Sequence, residues 1–260
     1  MITGSDARHP LSGADECIAC HSRFCQFQDP ARRQSRTDLI SLNRGDRLVA
    51  SAQACLKIWT IIQGTAAICR TFEDGRRQII SLETIGETTC GLLAAPESDT
   101  WLEALDDCVI CEQDFSSYAG ALRENPSFIL SIFRVTHKQL ETASRHVATL
   151  GRLDSTERVI LFLAEMVVRT KGRCVSDSAV TLPMSREDIA DYLGLNTETV
   201  SRIMSRLKKS GLVRFFSPTE YAVPDFAAIE RRLPVAVLRR ANSMAGLAQA
   251  GCNSIRETAG

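Results

Sequence analysis

Two groups of residues in this chain have the types and spacing to do chemistry. The first is a set of cysteines. Cys17, Cys20 and Cys25 form a C-x2-C-x4-C run near the start, and Cys108 and Cys111 form a separate C-x2-C pair. Thiolates so spaced can bind zinc, hold an iron-sulfur cluster or act as a redox pair. His21 lies inside the first run and could replace a ligand or simply be solvated. Cys55, Cys69, Cys90, Cys174 and Cys252 read as small buried or incidental side chains. The second group is Thr197, Glu198, Ser201, Arg202 and Ser205, followed by Arg206, Lys208, Lys209 and Arg214, with no acid between Arg202 and Arg214. On a helix the first five fall on one outward face. Glu can accept from cytosine N4, and Arg can grip guanine O6 and N7 together. The later cations suit phosphates. Glu198 and Arg202, four apart, could also pair with each other.

The elements around the second group are legible. Ser185 caps a helix at Arg186–Leu193, with Asp188 three residues after the cap. Gly194 follows, suited to a left-handed helix end. Asn196 caps a second helix, about Thr197–Ser210, whose Val200, Ile203, Met204 and Leu207 face inward. This is a helix-turn-helix. Leu212–Val223 adds a hairpin turning at Pro218. Upstream, Asp154 or Ser155 caps a mostly apolar core helix over 156–170.

Before that, Pro126 opens a long helix expected to reach about Leu150, with Gly151 after it. Phe133, Thr136, Leu140, Ala143, Val147 and Leu150 recur at alternating three and four, the seam of a coiled coil. A helix packed on its own domain is the other reading. From about Leu39 to Phe115, short β-branched and aromatic runs (56–62, 65–72, 78–82) alternate with Gly turns, which indicates an antiparallel barrel or roll. Residues 1–32 show neither period and read as an extended, cysteine-rich cap. The fold class is α+β. Its expected parts are a cap (1–32), a sensor roll (33–124), a dimerisation helix (125–151), a winged helix-turn-helix (152–225) and a tail (226–260). The tail holds a helix around Ala227–Ala241 and is otherwise disordered.

The chain has 260 residues, 31 Lys and Arg, and 31 Asp and Glu, so net charge alone does not announce a polyanion partner. No apolar stretch approaches the roughly 20 residues that span a bilayer. The N-terminus lacks a secretory pattern, so the expected location is the cytoplasm, with no membrane partner. There is no Walker loop, GxGxxG or HExxH, and the four histidines do not cluster in sequence, so an enzyme is not expected.

From about Gly45 to Val223 the chain resembles the Crp/Fnr superfamily of bacterial regulators, most strongly over LPMSREDIADYLGLNTETVSRIMSRLKKSGLV (182–213). The resemblance implies a cyclic-nucleotide-binding-type β-roll, a dimerisation helix and a winged helix-turn-helix. Glu198-x-x-Ser201-Arg202 looks like the Fnr/FixK form rather than the catabolite-activator form. It implies a homodimer on palindromic double-stranded sites like TTGAT-N4-ATCAA, with RNA polymerase as a partner. Gly86-Glu87 matches the family's nucleotide pocket. The stretch after it, 88–107, has no Arg or Lys to meet a cyclic phosphate, so cAMP is not expected. Oxygen- or redox-responsive members hold a [4Fe-4S] cluster on three N-terminal cysteines and one from the roll. Cys17, Cys20 and Cys25 look like the three. Cys111 matches the fourth better than Cys108, because Glu112 and then Phe115 follow it. Where such members carry an acidic residue opposing dimerisation, this chain has Ala143, which implies pairing less dependent on a cluster. The alternative is a regulator of the same family without a cluster, gated by thiol redox, zinc, heme or another ligand of the roll.

Overall fold

The computed structural model describes residues 8–10, 37–49, 57–90, 99–114, 118–171 and 179–234. Contacts divide the chain into two compact units, Met1–His146 and Val147–Gly260.

The first unit is built from antiparallel sheets. One has five strands in the order β1 (Arg8–Pro10), β2 (Thr37–Leu42), β9 (Cys108–Asp114), β4 (Lys57–Gln63), β7 (Thr88–Cys90). The other orders β3 (Arg47–Val49), β8 (Thr100–Ala104), β5 (Ala66–Thr71), β6 (Arg77–Glu83). The strands follow the β-branched runs, and alternation decides their inner faces. Ile40 and Leu42 of β2, Trp59 and Ile61 of β4 and Ile110 of β9 meet Leu48, Ala66, Ile68, Leu102 and Ala104 from the second sheet in one core. Gly64 (φ +82°) turns β4 into β5. A Cβ there would lie 2.5 Å from the Asp107 carbonyl oxygen, so only glycine fits. Strand β1 departs from the expectation of a cap without strand structure. Its Arg8–Pro10 pair with Asp38–Ile40, because an edge strand such as β2 offers unpaired backbone groups whatever the side-chain pattern.

Two helices close this unit. A short α1 (Ala119–Glu124) precedes the 27-residue α2 (Pro126–Arg152). Helix α2 runs through Gly151 rather than stopping before it. The amide of Leu153 still donates to Thr149 O at 3.1 Å, and Asp154 starts the next helix at once. One face of α2 packs on its own roll: Phe128 stacks on Tyr118 and, with Ile58, forms a buried cluster that Ile132 and Val135 cover.

In the second unit, α3 (Ser155–Lys171) is buried on nearly every side from Val159 to Val167. Asp154 Oδ1 accepts from the amides of Thr156 and Glu157, and Glu157 returns a carboxylate to the Asp154 amide, a reciprocal cap. Strand β10 (Val180–Thr181), α4 (Arg186–Leu193), α5 (Thr197–Lys209), β11 (Arg214–Phe215) and β12 (Glu220–Ala222) follow. The three strands order β10-β12-β11. Tyr221 anchors this sheet to α3 through a 2.6 Å hydrogen bond to Leu163 O. The tail helix is shorter than expected. Here α6 spans Phe226–Glu230 only, because Pro234 offers no amide and disfavours helix in the residue before it. The expected disorder falls on residues 235–260, outside the described residues.

Strand alternation also separates the C-x2-C pair. Cys108 is part of the inner core with Ile110, whereas Cys111, an odd number of residues on, lies on the other face of β9 opposite Leu39 and Thr60. Both are free thiols. Residues on opposite faces cannot bring their Cβ atoms to disulfide distance, so this pair is not a redox pair. Burial, the neighbouring Asp106 charge and its hydrogen bond push the Cys108 thiol up to about 12 from 9.0. The neutral thiol therefore supports the fold fully below about pH 9, and its contribution is lost as pH rises toward 12. We expect peptide mapping after iodoacetamide at pH 8 to find Cys108 unmodified in the native protein and modified in urea. Rapid native labelling would contradict the buried, protonated assignment.

Candidate nucleic-acid interface

The helix-turn-helix is held by local bonds that its sequence dictates. Ser185 Oγ accepts from the Asp188 amide at 3.0 Å, and the Asp188 carboxylate accepts from the Ser185 amide at 2.8 Å. This capping box fixes the start of α4. Gly194 ends the helix in the left-handed region (φ +62°), with the Leu195 amide donating to Ala190 O at 3.0 Å. Asn196 Oδ1 then accepts from the Thr199 amide at 2.7 Å and opens α5. Val200, Ile203, Met204 and Leu207 are all buried, so the rotation of α5 about its axis is set by its apolar face.

That rotation leaves Thr197, Glu198, Arg202 and Ser205 exposed and Ser201 half-buried on one side. Arg206, Lys208 and Lys209 are exposed in the last turn, where cations also complement the helix dipole. Arg214 is exposed on β11. Glu198 and Arg202 do pair, at 3.5 Å, but both side chains are more than two-thirds exposed. An exposed i,i+4 pair stabilises a helix by only about 0.3–0.5 kcal/mol, so both groups remain available to a stronger partner.

Two arginines of this unit were not singled out by sequence. Arg186 donates to Pro218 O at 2.9 Å and lies over the Phe215 ring at 5.5 Å, pinning the β11–β12 turn to the start of α4. Arg158 donates to Leu150 O, Leu153 O and Leu193 O. Their partners are mostly backbone carbonyls, which have no residue-type signature.

The residues of α2 expected to form a seam divide by exposure. Phe133, Leu140 and Val147 are 67%, 65% and 70% exposed, and Thr136 is exposed beside them. Ala143 and Leu150 are half-buried. The Thr136 hydroxyl donates to Ile132 O at 3.0 Å, so it needs no further partner. The face that packs on the roll is a different one, carrying Phe128, Ile132 and Val135.

In the roll, Glu87 is already engaged. Its carboxylate accepts from the Thr84 amide at 2.9 Å and pairs with Lys138 Nζ at 3.0 Å. The next stretch, 91–98, lies outside the described residues, as do Cys17, Cys20 and Cys25. Cys111, the remaining member of the proposed thiolate set, is 2% exposed. Among the described residues no three His, Cys, Asp or Glu side chains come together as a metal site. No helix among them is long and apolar enough to cross a membrane.

Comparison with known proteins decides the family. Residues 157–232 match the family model described as a Crp-like helix-turn-helix domain. The chain is 31% identical over 225 residues to a Rhizobium leguminosarum bv. viciae protein named "Probable transcriptional activator", covering 83% of this chain and 93% of that one. The chain belongs to the Crp/Fnr superfamily, in its FixK/Fnr-like branch. The nitrogen fixation regulation protein FixK of Rhizobium meliloti (strain 1021) is 32% identical over 65% of this chain and 79% of its own. The solved structure of FixK2 from Bradyrhizobium japonicum superposes with a TM-score of 0.69 at 28% identity, covering 77% of this chain and 98% of that one. This Crp/Fnr chain is a DNA-binding regulator, not an enzyme, with the family's α+β architecture of roll and helix-turn-helix.

Gly194→Ala tests the turn. Space is available, since the nearest atom to a Cβ is Leu150 Cδ2 at 3.7 Å. The cost is therefore the left-handed backbone alone, about 1–2 kcal/mol. Urea unfolding should show that loss with an unchanged m-value; no loss would remove the turn from the account.

Proposed function

We propose that this regulator works as a homodimer that reads palindromic double-stranded sites of the TTGAT-N4-ATCAA type. The observation that carries this is the pairing of two surfaces, the polar face of α5 and the apolar stripe of α2. On α5, Glu198 and Arg202 meet base edges, with Thr197, Ser201 and Ser205 lining the same face. Arg206, Lys208, Lys209 and Arg214 meet phosphates. On α2, Phe133, Thr136, Leu140, Ala143, Val147 and Leu150 pair with the same residues of a second copy. Two-fold pairing of protein then matches two-fold symmetry of the site. RNA polymerase is the partner through which the bound dimer acts on transcription.

Between the two inputs open to the roll, the described residues give more support to one without a cluster. Cys111 is sealed in a strand face, and among the described residues no set of ligands gathers around it. Glu87, which the family's nucleotide pocket would use, is engaged by Thr84 and Lys138. Thiol redox, zinc, heme or another ligand of the roll then supplies the signal. The second reading is a [4Fe-4S] cluster on Cys17, Cys20, Cys25 and Cys111. Strand parity favours it in one respect, since Cys111 and not Cys108 lies outside the sandwich core.

Two measurements test this. Arg202→Ala should cost about 1–3 kcal/mol on the palindrome and relax specificity at one base pair, whereas Lys208→Ala should weaken all sequences alike. Equal behaviour of the two variants would contradict the assignment of Arg202 to a base edge. For the input, anaerobically purified protein should carry no acid-labile sulfide and no iron-sulfur absorption that air bleaches. A brown protein with about four iron atoms per chain, bleached by air, would establish the cluster instead.

A further inference from the structure

Arg158 makes three hydrogen bonds that no other part of the functional account uses. Its Nη2 donates to Leu150 O at 2.6 Å, its Nε to Leu153 O at 3.0 Å and its Nη1 to Leu193 O at 3.1 Å. Leu150 lies in the last turn of α2, Leu153 just beyond it, and Leu193 is the last residue of α4. Helix ends leave carbonyls without amide partners, and they carry partial negative charge. A guanidinium suits three of them because its N–H groups fan out in one rigid plane, which an ammonium cannot imitate.

The same junction holds apolar contacts. Leu150, the final seam residue, is half-buried, and its Cδ2 lies 3.7 Å from where a Cβ on Gly194 would stand; Arg158 Nη1 is 3.8 Å from that point. Gly194 begins the turn into α5. One cation therefore joins the end of the seam helix, the start of α3 and the turn that aims the reading helix. Leu150, the last residue of the expected seam, is held to the head by it.

We propose that Arg158 is a positioning residue that sets which spacing of half-sites the dimer accepts. This rests on the reading of the chain as a dimer on a palindrome. Each added base pair moves a half-site by about 3.4 Å and turns it by roughly 34–36°. A head held stiffly against the end of the seam helix cannot follow that movement. A head released from Leu150 O and Leu153 O can, at the cost of selectivity rather than of base contacts, which all lie on α5.

The test uses the full chain, wild type, Arg158→Lys and Arg158→Ala, with four duplexes. Three are palindromes with spacers of three, four and five base pairs; the fourth carries one half-site. Fluorescence anisotropy gives the affinities, and sedimentation gives the oligomeric state. Wild type should prefer the four-base-pair spacer by about tenfold or more, the scale of one lost base contact. Both variants should bind the single half-site within about twofold of wild type and remain dimers, while the spacer preference falls to about threefold or less. If preference is unchanged, the proposal fails. If half-site and palindrome affinities fall in parallel, Arg158 is merely structural and the proposal also fails. If the Ala variant unfolds, the Lys variant decides. A wild type with no spacer preference would overturn the palindromic-dimer reading itself, which separates that failure from this one.

Discussion

Helix α2 has more apolar surface than its own chain buries, and this constraint organises the rest. A 27-residue helix offers two faces along its length. Phe128, Ile132 and Val135 spend one of them on the roll, against Tyr118 and Ile58. Phe133, Leu140 and Val147 remain exposed on the other. Burying each large side chain is worth about 1.5–3 kcal/mol, so such a stripe is a strong reason to acquire a partner. Thr136, with its hydroxyl satisfied inside the helix, and Ala143 fit the same surface without a desolvation cost. Like-charged residues at the Ala143 position would oppose pairing; this chain has none there.

The helix-turn-helix depends on a different kind of order. Its two helices are short, eight and thirteen residues, and neither would persist alone. Caps at Ser185, Asn196 and Asp154, the left-handed Gly194 and the buried row from Val200 to Leu207 make the geometry of α5 unique. Arg186 and Arg158 then connect that helix pair to its surroundings, the first to the β11–β12 turn, the second to the end of α2. The exposed Glu198–Arg202 pair is weak enough to open at a DNA surface and ordered enough to keep both side chains on the same face.

Much of this was legible in sequence because it rests on side-chain type and period. The capping box, Gly194 and the inward row of α5 all follow from local chemistry. The rest rests on backbone partners or on parity. Arg158 and Arg186 bind carbonyls, and any residue supplies a carbonyl. Strand β1 is held by ladder bonds to β2 and not by a side-chain pattern. Gly151 suggests a helix end, yet α2 continues to Arg152 because the following cap at Asp154 leaves no room for a left-handed exit. The Cys108–Cys111 spacing looks like a functional pair in one dimension, and on a strand it places the two thiols on opposite faces.

The central claim is that this chain reads a two-fold symmetric DNA site with α5. Selection of bound duplexes from a fully random pool tests it without assuming the sequence. An inverted repeat with half-sites resembling TTGAT and a fixed four-base-pair spacer should be enriched. Enrichment of a single asymmetric element, or of no element at all, would contradict it.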